Sequence, residues 1–469
     1  MSHISHYHNT VFFDSSIGSE AGNRENISMH VDELKARPLS EASDLKTGLG
    51  MLPLLFTAFL ITLNWTICIP LFTPLIIRNL DGILPICSSI GFRAEINGML
   101  LGSFFIAQIF GGSLIGNLSD HYGRKKVLLF CIAVNLISSF IWNYAIVSKH
   151  LVFMFAGQIL DGLVGGSCSV VYSSMADLSN EKTKVRNFGL IAMSSGLGMV
   201  FGPFIGSRLI DPSNSLWCGY TTPYRLISLL CLVNMLNIWL LMKETSPHRE
   251  QRVSALHNIA RIPVILNDPV KRVLLLVVLL EAIAFYSFTQ TFQLFLNLRF
   301  NVDERTVGNI YMFVGCCVVI SQGVIVPFLS RFFKSHQVLS VSLIVNSLSF
   351  VCMVLMARFY SLYSVLPVYL LSRALDTTNL NALVSHLGKK DEQGTILGIN
   401  SSTNSLAPTI TGFVSGYLEG ISSKLPDMMS ALCSFMAWAV FLLFFYRYAA
   451  SQLSAEKVVA RPGNAGGAS

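Results

Sequence analysis

The chain has 469 residues, of which 52% are hydrophobic and only 13% charged, with a mean hydropathy of +0.57 and a formal net charge of +7. A soluble domain carries about 25% charged residues, so half the charge that a water-facing surface needs is missing and a string of soluble domains is excluded. The basic residues are spread over many loops and gather on no single face, so the charge gives no nucleic-acid footprint.

The first 50 residues are polar, hold four His by residue 30 and lack an apolar core. They read as a disordered cytoplasmic tail and not as a cleaved signal peptide. Twelve apolar runs follow, at 51–77, 97–117, 126–146, 151–174, 188–208, 224–242, 273–296, 306–328, 337–357, 361–384, 394–418 and 429–448. A helix crosses hydrocarbon in about 17–25 residues, and lipid tolerates only helices and closed barrels because nothing else satisfies the backbone. These runs lack the alternation of barrel strands. The expected fold is an all-α membrane protein with twelve transmembrane helices, and the bilayer is its first partner.

A basic stretch, 243–272, separates six spans from six and is expected to be a cytoplasmic linker. It divides an N-terminal half, 51–242, from a C-terminal half, 273–448, with 449–469 as a cytoplasmic tail. With both termini inside, the interior loops and their span edges hold 16 Lys and Arg, and the exterior ones hold 9. That bias places both termini in the cytoplasm.

The loop after span 2 reads GNLSDHYGRKK, residues 116–126. Gly116 has no side chain to keep a neighbouring helix away, and Gly123 suits a tight turn with positive φ. Asp120 can pair with Arg124 or sit at a helix N-terminus, where the dipole favours an anion. Slid by 211, the stretch meets PFLSRFFKSHQVL from Pro327, and Leu118, Ser119, Val127 and Leu128 recur as Leu329, Ser330, Val338 and Leu339. With the six-plus-six span count, the repeat predicts two pseudo-symmetric six-helix bundles. In span 5, GLGMVFGPFIGS places Gly198, Gly202 and Gly206 on one helix face, and Pro203 removes a backbone bond beside them. Ordinary small-residue packing would produce the same spacing.

Four charged side chains lie deep in the spans: Asp161 in span 4, Glu281 in span 7, and Arg373 and Asp376 in span 10. Each costs about 2.5–3.5 kcal/mol at a helix centre on insertion scales, so it must face a cavity or a partner. At an offset of 215, QILD (Gln158 to Asp161) meets RALD (Arg373 to Asp376), which makes the two aspartates pseudo-equivalents. Arg373 and Asp376 stand three apart and can pair, leaving Asp161 and Glu281 without a partner. A carboxyl that gains and loses a proton while facing alternate sides is what proton coupling requires. Asp161 and Glu281 are therefore candidates for carrying the proton or a cationic substrate, with Arg373 and Asp376 as a structural or gating pair. Local pairing that holds helices in register is the alternative. Phe285, Phe288 and Phe292 in span 7 stand at helical spacing beside Glu281. They form either a cavity wall suited to an amphiphilic cation or plain core packing, and Trp65 in span 1 is of the same kind.

Ten cysteines show no C-x-x-C pair and no His at metal spacing, so no metal and no cofactor is expected. Cys87 and Cys218 fall in exterior loops and are a candidate disulfide. No nucleophile–base pair or nucleotide loop points to an enzyme.

These motifs resemble the major facilitator superfamily over residues 50–450, in particular its twelve-helix drug:proton antiporters such as the tetracycline exporters. Gly116, Leu118, Asp120, Gly123, Arg124 and Lys125 stand where the family's loop 2–3 signature has its fixed residues. The resemblance implies a latch between the halves on the cytoplasmic side, with Asp177 and Arg186 of MADLSNEKTKVRNFG joining its charges. It also implies that Gly198, Gly202, Pro203 and Gly206 are the antiporter signature of helix 5, and that helices 1, 4, 7 and 10 line a central cavity. Lys243 in MKETSP stands where the family commonly has Pro. Three further departures stand out: Ser207 replaces a usual Gly, Gln158 replaces a usual Arg, and Asn64 stands in place of the acid that tetracycline exporters carry in helix 1. The implied activity is proton-coupled efflux of a small amphiphilic molecule by a monomer in a bacterial inner membrane. Uptake by symport, or a non-transporting sensor on the same fold, are the alternatives.

Overall fold

Among the described residues, twelve long helices account for the twelve apolar runs. The computed structural model describes residues 50–79, 81–180, 183–211, 218–245, 269–386 and 393–459. In chain order the helices are α1 (Gly50–Ile77), α2 (Ile90–Tyr122), α3 (Arg124–Ser148), α4 (Leu151–Asp177), α5 (Lys184–Leu209), α6 (Thr222–Leu241), α7 (Pro269–Phe300), α8 (Glu304–Leu329), α9 (Ser335–Leu355), α10 (Leu362–His386), α11 (Gln393–Ile421) and α12 (Leu425–Val459). Ten contain windows long and apolar enough to cross a membrane. The other two, α10 and α11, have 25 and 29 residues and are rich in Ser, Thr and Asn. Residues 1–49 and 246–268, most of the expected tail and linker, lie outside the described residues.

Local chemistry sets the breaks. Gly123 alone separates α2 from α3, at φ +99, a backbone region that side-chain-bearing residues seldom adopt. The Ser89 side chain accepts from the Phe92 N–H at the start of α2 and so caps it. Pro70 and Pro74 fall late in α1, and the backbone widens into a π-helical turn over Thr73–Ile77.

Each half has its own core. In α1–α6 it is built on Leu63, Ile67, Leu71 and Leu128, with Trp142 stacked on Tyr224 at 4.9 Å between ring centres. In α7–α12 it is built on Phe288, Phe292, Phe350 and Tyr369, whose rings pack at 4.8 to 5.5 Å. Two of the three span 7 phenylalanines are therefore core residues and not cavity wall, because Phe288 and Phe292 turn toward α9 and α10. Outward-facing side chains such as Phe110, Phe140, Trp239 and Leu443 remain exposed, as a lipid-facing surface requires.

The halves meet along α2 with α11 and α5 with α8. In the first pair the backbones nearly touch: a Cβ on Gly98 would lie 2.3 Å from the Gly412 carbonyl oxygen and 2.9 Å from Gly416 Cα. In the second, a Cβ on Gly308 of α8 would meet Ser207 Oγ at 1.9 Å. The small residue absent from helix 5 at Ser207 is thus supplied by its partner helix.

We call the end bearing GNLSDHYGRKK the basic face and the opposite end the far face. Among the described residues, polar contacts between the halves lie between the middle and the far face. Arg78 donates to Glu304 at 3.1 Å, Asn297 at 2.5 Å and the Val302 carbonyl at 3.2 Å. Arg305 pairs with Asp211, and Arg208 donates to Asn309 at 3.2 Å. The halves are closed together at the far face.

All ten cysteines are free thiols, so Cys87 and Cys218 form no disulfide. The Cys87 loop is fastened by hydrogen bonds instead. The Asn79 side chain brackets Leu84 through both its N–H and C=O, and Arg93 donates to the Ile77 and Ile86 carbonyls.

Candidate functional site

The basic-face loop holds together through charge. Arg124, the first residue of α3, pairs with Asp120 at the end of α2 at 2.8 Å, and with Asp177 of α4 at 3.4 Å. Its guanidinium also donates to Ser119 Oγ at 2.7 Å. Glu244, just past α6, accepts from the backbone N–H groups of Arg124 and Lys125 at 2.7 and 3.2 Å. An acid at a helix N-terminus satisfies orphan donors and complements the dipole. Any side chain at Gly123 would block this, since its Cβ would lie 2.5 Å from Glu244 Oε2. Lys125 donates to the Trp239 carbonyl at 2.8 Å. The cluster thus ties α2, α3, α4 and the end of α6 together within one half. Two residues behave otherwise than the sequence suggested. No neighbour comes within 4 Å of where a Gly116 side chain would sit. Arg186 is exposed and has no ion pair among the described residues. The halves approach at Gly98 and Gly102, toward the far face, so no helix reaches Gly116.

The helix 5 glycines serve contact with α1. A Cβ on Gly198, Gly202 or Gly206 would fall 2.6 Å from the Phe59 carbonyl oxygen, 2.0 Å from Thr66 Oγ1 and 2.2 Å from the Ile67 carbonyl oxygen respectively. Thr66 Oγ1 donates to the Gly198 carbonyl across that seam at 3.0 Å. Pro203 lies inside the same helix.

A cavity of about 600 Å³ opens within the N-terminal half, walled by Asn64, Trp65, Asn135, Trp142, Gln158 and Asp161 among others. α1 brings Asn64 and Trp65, α3 Asn135 and Trp142, and α4 Gln158 and Asp161. Asn64 Nδ2 lies 3.5 Å from Asp161 Oδ1, and Ser138 and Trp142 also turn hydrogen-bonding groups to that carboxyl. Among the described residues no cation pairs with Asp161. A second cavity of about 490 Å³ lies between the halves, lined by Trp65, Thr73, Asn97, Tyr286, Gln290 and Gln293 among others. Trp65, Phe105 and Tyr286 form an edge-to-face chain from α1 through α2 to α7, with centroid steps of 6.3 and 5.8 Å.

The C-terminal charges form a network. Glu281 accepts from Ser434 at 2.6 Å and from Asn346 at 2.9 Å, and faces Arg373 Nη1 at 3.8 Å. Asp376 accepts from Asn346 at 3.2 Å and from Ser342. Arg373 therefore pairs with Glu281 and not with Asp376, the partner expected from its own helix. Its guanidinium swings over the Phe285 ring, 4.5 Å from the centroid, while Asp376 turns the other way into α9. Two carboxyls and one guanidinium stand together here, the guanidinium paired with Glu281 alone, leaving a formal charge of −1 unless one carboxyl holds a proton.

Sequence reasoning missed Asn346, Glu244, Glu419 and Asp427. Asn346 was within reach: the offset of 211 that aligns the loops also sets Asn135 against it, and each stands by its half's aspartate. Glu419 and Asp427 fell just outside the expected spans. The helices run further, and both acids are buried, at 3% and 1% exposure.

The profile of the Major Facilitator Superfamily matches residues 54–412. The class D tetracycline resistance protein of Salmonella ordonez is 24% identical over 349 residues, covering 72% of this chain and 86% of that protein. Major facilitator superfamily domain-containing protein 10 of Mus musculus is 25% identical over 391 residues, covering 76% and 80%. A shorter match to the class H tetracycline resistance protein of Pasteurella multocida, 32% identical, spans only 28% of that protein. Among solved structures, the human organic anion transporter MFSD10 superposes with a TM-score of 0.63 at 18% identity, over 84% of this chain and 99% of that one. The nucleoside transporter NupG does so at 0.67 and 15%, over 84% and 99%. Two six-helix halves that meet through α2–α11 and α5–α8, and a profile match spanning most of both, make this chain a member of the Major Facilitator Superfamily.

Proposed function

We propose that this transporter exports a small amphiphilic molecule in exchange for protons, as a monomer that opens alternately to either side. The observation that carries the reading is Asp161, a carboxyl on the wall of a roughly 600 Å³ cavity with neutral donors around it. A carboxyl so placed can exchange its proton for a cationic or hydrogen-bonding substrate without dismantling an ion pair. Glu281 is the second proton-handling candidate, because it pairs with Arg373 while sharing the Asn346 amide with a second acid, Asp376. Aromatic Trp65 and Tyr286 supply the apolar surface an amphiphile needs. Export is supported by the glycine face of α5 and by the tetracycline resistance relatives. The tetracycline resistance relatives support a bacterial inner membrane, and 16 basic residues against 9 support cytoplasmic termini.

Uptake by symport is the second reading. It is favoured by Gln158 and Asn64, which stand where the antiporters that the sequence resembles carry charge.

The test uses proteoliposomes and a substrate found by ligand-stabilisation screening. A proton gradient should drive flux of the wild type in the export direction. Asp161→Asn and Glu281→Gln should lose gradient-driven flux and keep counterflow exchange. Gradient-driven flux that survives both substitutions removes the coupling role, and flux only in the opposite direction selects symport.

A further inference from the structure

The far-face closure covers a third cavity, of about 240 Å³, where α2, α7 and α11 meet. Its wall includes Glu419, Asn97, Gln290, Thr291 and Ser415. Glu419 is 3% exposed, and neither of its carboxyl oxygens has a hydrogen-bond partner. Asn97 Oδ1, buried in the same wall, also lacks a donor. The two hydroxyls and the Gln290 amide in that wall donate elsewhere. Thr291 donates to the Ser287 carbonyl at 2.8 Å, Ser415 to Ser287 Oγ at 2.9 Å, and Gln290 Nε2 to the Pro408 carbonyl at 3.0 Å. Gln290 Oε1 is itself an acceptor, taking the Thr411 hydroxyl at 3.2 Å.

Three acceptor oxygens without a donor, one group of them a carboxyl, call for positive charge. The surrounding charges do not supply it. Asp427 of α12 acts on Glu419 as a second acid, and both its oxygens also lack hydrogen bonds. Arg299 of α7 acts on Asp427, but its guanidinium donates to the Met353 and Met356 carbonyls. α2 adds Glu95 and Arg93, the latter donating to Ser88 and to the Ile77 and Ile86 carbonyls. The position is also out of character for its helix face. Gly412, Gly416 and Glu419 share one stripe of α11, and the glycines there meet Gly98 and Gly102 almost backbone to backbone. The seam runs on past it to Gly420 against Gly91, so Glu419 is an acid set within a close-packed run of small residues.

We propose that this cavity is a monovalent-cation site, holding one proton or one sodium ion between Glu419 and Asn97 while α2 and α11 are joined. It is separate from Asp161 and Glu281, and opening of the far face would expose it to the opposite side from the basic loops. Sodium would take the carboxyl and amide oxygens as hard ligands. A proton would stay on the carboxyl, whose O–H would donate a hydrogen bond to Asn97 Oδ1.

The test reads binding and needs no substrate or flux. The thermal unfolding midpoint of the purified full-length protein is followed as sodium chloride replaces choline chloride at constant ionic strength, across a pH series. A bound cation raises the midpoint by mass action. A rise with sodium at fixed pH identifies sodium, and a rise with acid in choline alone identifies the proton. Glu419→Gln should abolish or sharply reduce that rise. Asn97→Ala, which keeps the carboxyl, should weaken the half-effect concentration of the same cation about tenfold, the loss expected for one ligand oxygen. A wild type that responds to neither cation overturns the proposal, as does a Glu419→Gln protein that keeps the full wild-type response. If Glu419→Gln does not fold, the Asn97→Ala titration decides, and an unmoved half-effect concentration overturns the site.

Discussion

Asp161 and Asp376 occupy matching positions in the two halves, yet the molecule uses them differently. Asp161 borders a cavity and is met by neutral donors from α1 and α3. Asp376 is fully buried against α9, held by Ser342 and Asn346, with Arg373 and Glu281 close by. The divergence begins one turn earlier, at Gln158 and Arg373. A neutral residue there leaves the N-terminal aspartate without a counter-charge among the described residues, whereas an arginine pairs with an acid in the C-terminal half. The two halves hold carboxyls at equivalent positions, and a single charge difference beside each separates an acid met by neutral donors from one set in a charged network.

That contrast can be broken most forcefully at the arginine. Arg373→Leu strands Glu281 and Asp376 without their cation, and breaking a buried pair this way costs about 3–5 kcal/mol. Gln158→Leu at the matching position should cost well under half of that, and the unfolding midpoints of the two variants test the difference. Serine truncations give a smaller version of the comparison. Ser342→Ala removes a hydrogen bond to a buried carboxyl, worth about 1.5–3 kcal/mol if Asp376 is charged, while Ser138→Ala removes one to the neutral Gly157 carbonyl and should cost about 0.5–1.5 kcal/mol. A loss at Ser342 no larger than that at Ser138 would mean that Asp376 is uncharged. The smallest effect on folding belongs to Asp161→Asn, which keeps the shape and asks for no counter-charge. It should change stability by less than about 1 kcal/mol and yet abolish gradient-driven flux. A large loss of stability would instead make Asp161 a structural residue. At the far face, Arg305→Gln removes a partly exposed pair with Asp211 and should cost only about 0.2–1 kcal/mol, with the effect fading in high salt.

Much of this was legible in the chain. The twelve spans, the six-plus-six division and the loop signature all rest on local or strictly periodic features, and hydrocarbon leaves the backbone few choices. Gly123 was readable for the same reason, since a glycine between two helices, followed by basic residues, has few other uses. Rotamer choices were not readable. Arg373 and Asp376 lie three apart, so pairing was the natural expectation, but the guanidinium found both Glu281 and the Phe285 ring on another helix. Phe288 and Phe292 face the core because α7 is rotated to bring Tyr286 and Gln290 to the cavity, and helical spacing alone does not fix that rotation.

The sequence by itself determined the class of the molecule, its duplicated plan and its rare intramembrane charges. These follow from hydropathy and spacing, which the solvent reads one helix at a time. Only the tertiary structure decided which charges share a partner, which glycines meet across the halves, and that Glu419 and Asn97 are left with unanswered oxygens beneath the far face. Those outcomes depend on how one helix is turned against another. The energy that sets the turn is summed over contacts between residues hundreds of positions apart, so no local pattern carries it.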